Sequence, residues 1–159
     1  MTNRKVYISG EIISESDAKI SIFDSAVLLG DTLTESTRTF NYKPFKLEEH
    51  IHRLYKSFKL TRIDPQMSKK EMIDVSLNLL ETNKGEYGNN EDCWLVHNVS
   101  RGHSITGGNP TLQVTKPTIM IYTQPMNLIL WAPFYTKGCH AVIPPTRMIP
   151  SQSLDARIK

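Results

Sequence analysis

Residues 45–60, "FKLEEHIHRLYKSFKL", place Leu47, Ile51, Leu54 and Phe58 three or four residues apart. On a helix that spacing aligns the four side chains in one stripe, so an amphipathic helix is predicted here. Its polar face sets Glu48 four residues before His52 and Glu49 four before Arg53, which predicts intrahelical charge pairs. A helix of this length is marginal in water by itself, so the stripe demands an apolar surface to cover it. A second helix is predicted after "RIDPQM", because Ser68 and Glu71 form a capping-box pattern. Met72, Val75, Ser76, Leu79 and Leu80 would be its buried face, and "NKGEYGNN" would end it.

Strands are predicted before and after these helices. Short strands are read at residues 5–13, interrupted by Gly10, and at 18–23, "AKISIF". "TLTESTRTF" (32–40) alternates as a strand and leads into a turn at "NYKP". "CWLVHNV" and "TIMIYT" are two more strands, separated by a long glycine-bearing loop of the kind that tends to be functional. "LILWAPFY" and "GCHAVIPPT" then read as the opening of a further strand-rich unit. Mixed strands and helices in this order give an α+β or α/β class. The expected division is a small domain over residues 1–121, a linker over 122–127, and the beginning of a larger domain over 128–159. That last unit is too short to close a core alone.

Composition removes several classes of function. The chain has 159 residues, 39% of them hydrophobic and 22% charged, with a net charge of +3. Dispersed charge of this size gives no nucleic-acid footprint. No apolar run approaches a membrane span, and "MTNRKVYISG" lacks the apolar core of a signal peptide. Cys93 and Cys139 make no disulfide framework, so the expected location is the reducing cytoplasm. His50 and His52 would point to opposite sides of their helix, and no carboxylate or cysteine cluster completes a site. No metal is therefore expected. "TGGNP" (106–110) lacks the lysine of a Walker phosphate loop, and no Gly-x-Ser-x-Gly elbow is present.

Two residues could carry chemistry. Arg53 lies at the border of the helix stripe, where its stem can rest on the core and its planar fork can grip a phosphate. A snorkelling or salt-bridged arginine would read the same way. Lys159 ends "SLDARIK", an apolar-flanked segment. A lysine is a nucleophile only when its amine is neutral, which burial and nearby positive charge favour. In a strand, Arg157 and Asp155 would share its face and act in opposite directions. The plain alternative is a solvated lysine.

Two stretches together resemble the fold-type IV pyridoxal-phosphate enzymes, which include the branched-chain and D-amino-acid aminotransferases. The first, "GDTLTESTRTFNYKPFKLEEHIHRLYKS", supplies Gly30, Asp31, Glu35, Arg38, Pro44, Phe45, Leu47, His50, Arg53, Leu54 and Ser57 at the family spacing. The second, "RMIPSQSLDARIK" (147–159), resembles the segment around the family's Schiff-base lysine, and "VSRG" (99–102) matches a strand end.

The resemblance implies a D-amino-acid-aminotransferase-like two-domain fold of class α+β. A small N-terminal α/β domain would precede the start of a larger strand-rich one. It implies pyridoxal 5'-phosphate as cofactor, with Arg53 on its phosphate and Lys159 as Schiff base and proton shuttle. Thr34, Ser36, Arg38 and Asn98 would face the substrate pocket. Arg38 favours the branched-chain type and Thr34 does not, while Arg38 as a purely structural arginine stays open. Thr106 and Gly108 stand where D-amino-acid members carry an Arg-x-His pair.

The implied activity is transamination between an amino acid or amine donor and a 2-oxo acid acceptor, in a homodimer. The 101–112 loop would reach toward the neighbouring subunit. An aminodeoxychorismate-lyase-like reaction and a non-catalytic interaction module are the alternatives. The family's pyridine-nitrogen acid and remaining phosphate ligands are expected beyond residue 159. The stop there is read either as a fragment or as a break at a modified lysine.

Overall fold

The computed structural model describes residues 3–87, 92–103 and 116–159. Within them, β1 (Lys5–Ile8), β2 (Glu11–Ser14), β3 (Thr32–Phe40), β4 (Lys43–Pro44), β5 (Cys93–Ser100) and β6 (Thr118–Pro125) form one antiparallel sheet. Its order is β2-β1-β6-β5-β3-β4. Helices α2 (Leu47–Thr61) and α3 (Lys69–Thr82) follow one another between β4 and β5 and cover one face. Two short turns shape the edges. Ser9 and Gly10 join β1 to β2, with Gly10 at φ 121°, a conformation that favours glycine. Asn41 and Tyr42 join β3 to β4 with φ of 50° and 63°, the handedness of a two-residue hairpin.

The strand parity decides what faces the helices. Leu33, Glu35, Thr37 and Thr39 of β3 point inward, as do Cys93, Leu95, His97 and Val99 of β5 and Ile119, Ile121 and Thr123 of β6. They meet the predicted stripe of α2, where Leu47, Ile51, Leu54 and Phe58 are all buried. Met72, Ser76, Leu79 and Leu80 of α3 are buried too, and Val75 packs at the margin. Ser68 and Glu71 form the capping box in full. The opposite face of the sheet shows Thr34, Ser36, Arg38, Asn98, Met120 and Tyr122, none of them fully buried.

Two polar ties hold the ends of the sheet. Asp24, buried at the head of α1 (Ser25–Leu29), accepts from the Ala26 amide, from Ser100 Oγ at 2.6 Å and from the Thr118 hydroxyl. Arg101 donates to Asp31 at 2.9 Å and to the carbonyls of Thr61 and Arg62, closing the C-terminal end of α2. These ties fix the root of the loop that leaves β5. Residues 104–115 of that loop, with Thr106 and Gly108, lie outside the described residues, as does most of its expected reach toward a neighbouring subunit.

Four local expectations are corrected. Residues 18–23 form no strand. The chain there crosses from the sheet edge at β2 to α1, so an alternating pattern finds no strand to pair with. "LILWAPFY" is not a strand but most of α4 (Leu128–Lys137), capped by Asn127. With no strand alongside, the segment satisfies its backbone internally. Among the described residues, 138–159 contain no strand either. Finally, Asp155 and Arg157 do not alternate along a strand. Asp155 accepts from the Arg157 amide at 3.0 Å, which turns the chain, and the two side chains pair with each other in solvent.

β6 continues through Pro125, so the backbone leaves the sheet only at the last two residues assigned to the linker. No helix of the described residues is long and apolar enough to cross a membrane.

Leu54→Ala should destabilise the protein by about 2–5 kcal/mol, because it empties a fully buried site between α2 and the sheet. Leu60→Ala, on the exposed side of the same helix, should stay within about 0.5 kcal/mol. Chemical denaturation of the two variants checks the assignment of the faces.

Candidate active site

At the inward parity of β3, a strand position that normally holds an apolar side chain, stands Glu35. Its side chain is 1% exposed. A lone carboxylate cannot be placed there without compensation, and three cationic groups or proton donors converge on it. Arg53 binds it through two parallel bonds, Nε to Oε2 and Nη2 to Oε1, both 2.6 Å. His50 Nδ1 lies 3.0 Å from Oε1, and Lys159 Nζ donates to the same oxygen at 3.2 Å. The Ser36 amide adds a bond of 2.9 Å.

Helical spacing explains the first two. His50 and Arg53 are one turn apart on α2, at the rim of the stripe, and both reach over the edge of the sheet to β3. The expected Glu49–Arg53 pair does not form; Arg53 turns to Glu35 instead, and Glu49 lies beside Lys46. A bidentate bond to a desolvated carboxylate outweighs an exposed helical pair worth about 0.3–0.5 kcal/mol.

Lys159 arrives from the far end of the sequence. Its carbonyl accepts from the Thr34 amide at 3.1 Å, on the edge of β3 opposite β5 and beyond the short pairing with β4, and its amide donates to Ser57 Oγ at 3.4 Å. Ile158 packs against the main core. The backbone of Lys159 is thus clamped between β3 and α2, with its amine directed to Glu35. Arg53 and Lys159, the two residues singled out from the sequence, therefore meet on one carboxylate.

Both cations remain reachable. The Arg53 side chain is 48% exposed and that of Lys159 is 46% exposed. Arg53 spends only one edge of its guanidinium on Glu35, and its Nη1 makes no hydrogen bond to a described residue. Arg53 also lines an open cleft of about 480 Å³, together with Lys56, Lys59, Leu60 and Arg157. A second cleft, of about 460 Å³, lies along β1 and β6 beside Val6, Met120 and Tyr122 and shares no lining residue with the Glu35 cluster.

Electrostatics follow from this geometry. Burial alone would push the Glu35 carboxyl up. The bonds from Arg53, His50 and the Ser36 amide, with the nearby Lys159 charge, outweigh it and hold the group down from 4.5 to about 2. Arg53 is held above its ordinary value chiefly by its bond to Glu35. Directly across the ladder from Glu35, His97 is fully buried with Nε2 at 2.8 Å from Ser76 Oγ. Burial pushes its imidazole down to about 4, and the Glu35 charge offsets this only in part. His97 is thus neutral near pH 7 and ties α3 to the sheet.

The remaining residues proposed from the sequence lie on the open face. Thr34 Oγ1 donates to Asn98 Oδ1 at 2.8 Å, and Asn98 Nδ2 donates to the Tyr122 hydroxyl at 3.1 Å. This makes a polar row across β3, β5 and β6. Ser36 stands beside it on β3 with its side chain free of described partners. Arg38 lies farther along the strand, stacked 3.9 Å from the centroid of the Phe40 ring and 3.9 Å from Asp92. Among the described residues no three His, Cys, Asp or Glu side chains converge as a metal set.

Glu35, His50 and Ser57 had no assigned role in the sequence reading, and the structure brings all three into the cluster. The available signal was strand parity: in Leu33, Glu35, Thr37, Thr39 an acid occupies a position reserved for burial, where it requires a partner.

Comparison with known proteins identifies the family. Residues 32–159 match the family described as amino-transferase class IV. Over 155 residues the chain is 36% identical to a Methanocaldococcus jannaschii protein named as a branched-chain-amino-acid aminotransferase, covering 98% of this chain and 50% of that protein. It is 32% identical over 120 residues to the D-alanine aminotransferase of Staphylococcus aureus strain N315, covering 76% of this chain and 41% of that one.

Among solved structures, the Escherichia coli branched-chain amino acid aminotransferase superposes with a TM-score of 0.67 at 21% identity, over 78% of this chain and 40% of that chain. The T.th. branched-chain amino acid aminotransferase with pyridoxamine 5'-phosphate superposes at 0.67 and 19% identity, over 80% and 42%. These superpositions establish the shared fold. The chain belongs to the class IV aminotransferase family, and it spans about half the length of the curated relatives it matches.

Because the folded-state value of Glu35 is depressed, the stabilisation it provides is complete above about pH 4.5 and is lost as pH falls toward about 2. Allowing for half-exposed partners, this amounts to about 2 kcal/mol. Glu35→Gln should therefore be less stable at pH 7, and its stability should fall less than that of the unsubstituted protein between pH 5 and pH 2.5. Urea unfolding across that range measures both.

Proposed function

We propose that this chain carries the lysine-bearing half of a pyridoxal 5'-phosphate-dependent aminotransferase. Lys159 is the residue that anchors the cofactor, and Arg53 is a ligand of its phosphate. In this reading residues 128–159 begin the larger, cofactor-binding domain, joined to the small domain 1–121 through 122–127. The observation that carries the proposal is the meeting of Lys159 and Arg53, distant in sequence, at Glu35 Oε1 with both side chains still open to solvent.

The residues fit the group. A phosphate needs a fixed fork with unused donors facing outward, and Arg53 has them beside a cleft lined by Lys56, Lys59 and Arg157. An aldehyde needs a tethered primary amine, and the Lys159 backbone is clamped at Thr34 and Ser57. When bound, pyridoxal phosphate supplies the electron sink that makes a proton at substrate Cα removable.

The chain's own part is positioning and proton transfer. Arg53 holds the anion. Lys159 Nζ, which donates to Glu35 Oε1, would be the amine that holds the cofactor and would move the proton at substrate Cα. The polar row of Thr34, Asn98 and Tyr122, with Ser36 beside it, forms a wall for the substrate. Val96 and Met120 on the same face give that wall an apolar flank. This flank, together with the branched-chain relative, favours an amino donor with an apolar branched side chain and a 2-oxo acid acceptor. The family resemblance adds a homodimer in the cytoplasm as the setting.

Borohydride reduction of the full-length protein after incubation with pyridoxal phosphate should fix a pyridoxyl group on the peptide containing Lys159, read by mass spectrometry. Lys159→Ala should abolish the label and the yellow absorbance band. Labelling elsewhere, or no labelling, removes the assignment. With 2-oxoglutarate as acceptor, leucine should be the faster donor and D-alanine the slower; the reverse order would overturn the substrate class.

A further inference from the structure

Arg53 uses its guanidinium asymmetrically. Nε and one side of Nη2 lie flat on the Glu35 carboxylate, Nη2 also lies 3.2 Å from His50 Nδ1, and Nη1 makes no hydrogen bond to a described residue. The carboxylate is fully buried, so nothing outside the protein can reach it, whereas half of the arginine is exposed. Glu35 itself is not adjustable. It lies on β3 at the ladder position facing His97, held by the sheet, and it takes a further bond from the Ser36 amide. A flexible side chain on a helix rim is thus referenced to a rigid strand by two short parallel bonds. That arrangement fixes both the position and the plane of the fork, which a point contact would leave free to rotate. Carboxylates that hydrogen-bond metal-binding histidines orient them in the same manner.

We propose that Glu35 is the positioning residue for phosphate recognition at this site: it holds one edge of Arg53 so that the Nη1 end is presented, already oriented, to the phosphate of the cofactor. This rests on the reading of Arg53 as a phosphate ligand and assigns the specificity for the phosphorylated cofactor to a residue that never touches it. A merely structural Glu35, tying α2 to β3, would weaken binding of any ligand at the site without regard to phosphate.

The test compares pyridoxal phosphate with pyridoxal, which lacks the phosphate, on the full-length protein. The ratio of their dissociation constants measures phosphate selectivity. In Glu35→Gln that ratio should fall by about 10-fold or more, the size of effect seen when an orienting partner is removed. In an Arg53→Lys background, which has already lost the fork, adding Glu35→Gln should leave the ratio unchanged. A ratio within twofold of the unsubstituted protein, with both ligands weakened alike, overturns the proposal and leaves a structural tie.

A measurement on the unsubstituted protein is independent of whether the variants fold. Inorganic phosphate titrated into cofactor-free protein should perturb the Nη1 signal of ¹⁵N-labelled Arg53 and leave the Nε–H signal in place. A phosphate that displaces Glu35 would move Nε–H and sink the idea. If the unsubstituted protein shows no preference for pyridoxal phosphate over pyridoxal, the phosphate role of Arg53 fails, and the inference fails with it. Selectivity present but untouched by Glu35→Gln refutes Glu35 alone.

Discussion

The buried charge of Glu35 organises this structure. A carboxylate at 1% exposure is tolerable only if its lone pairs are filled by donors, and two of those here are the Arg53 and Lys159 cations. Arg53, His50, Lys159 and the Ser36 amide fill them, from β3 itself, from α2 and from the last residue of the chain. One side chain therefore couples the sheet, its covering helix and the C-terminal segment. Withdrawing any partner leaves part of a charge uncompensated in a place water does not reach, so the elements are held in mutual register by electrostatics as well as by the apolar contacts beneath.

The two faces of the sheet divide the work. The inner face, with Leu95, Val99, Ile119 and Ile121 against Ile51, Leu54, Met72 and Leu79, carries the core. It is also the face where Glu35 and His97 sit side by side. The outer face holds the row Thr34–Asn98–Tyr122 and the half-exposed Ser36 and Arg38. Because side chains alternate along β3, consecutive residues serve different purposes: Thr34 and Ser36 face outward, and Glu35 between them anchors the cations. A one-residue slip in register would exchange these roles, which is why the edge docking of Lys159 on the Thr34 amide matters as much as its side chain does.

Much of the sheet and its two covering helices was legible from local patterns. The stripe of α2, the capping box of Ser68 and Glu71, the hairpin turn at Asn41 and Tyr42, and the strands around 32–40, 93–100 and 118–125 all reflect rules that operate within a few residues. Two of the failures share one cause. Residues 18–23 and 128–135 have strand-like composition, yet strand formation depends on a neighbour that composition does not specify. The first runs as a connection, and the second closes its hydrogen bonds within itself as α4. Residues 155–157 failed differently: the short Asp155 side chain captured the Arg157 amide and turned the backbone.

The site divides along the same line. Arg53 and Lys159 were identifiable from the sequence by residue type, by helix position and by resemblance to a family to which the chain indeed belongs. Residue type and motif spacing are one-dimensional properties, so they survive without coordinates. That Arg53 abandons Glu49 for Glu35, that Lys159 shares the same oxygen, and that His50 and Ser57 complete the arrangement were decided only by the tertiary structure. The physical reason is that pairing between charges depends on burial. Along the helix Arg53 had an acid within reach, but exposed in water that contact is worth little. The carboxylate it chose gains its strength from being enclosed, and enclosure exists only once β3, α2 and the C-terminal segment have come together.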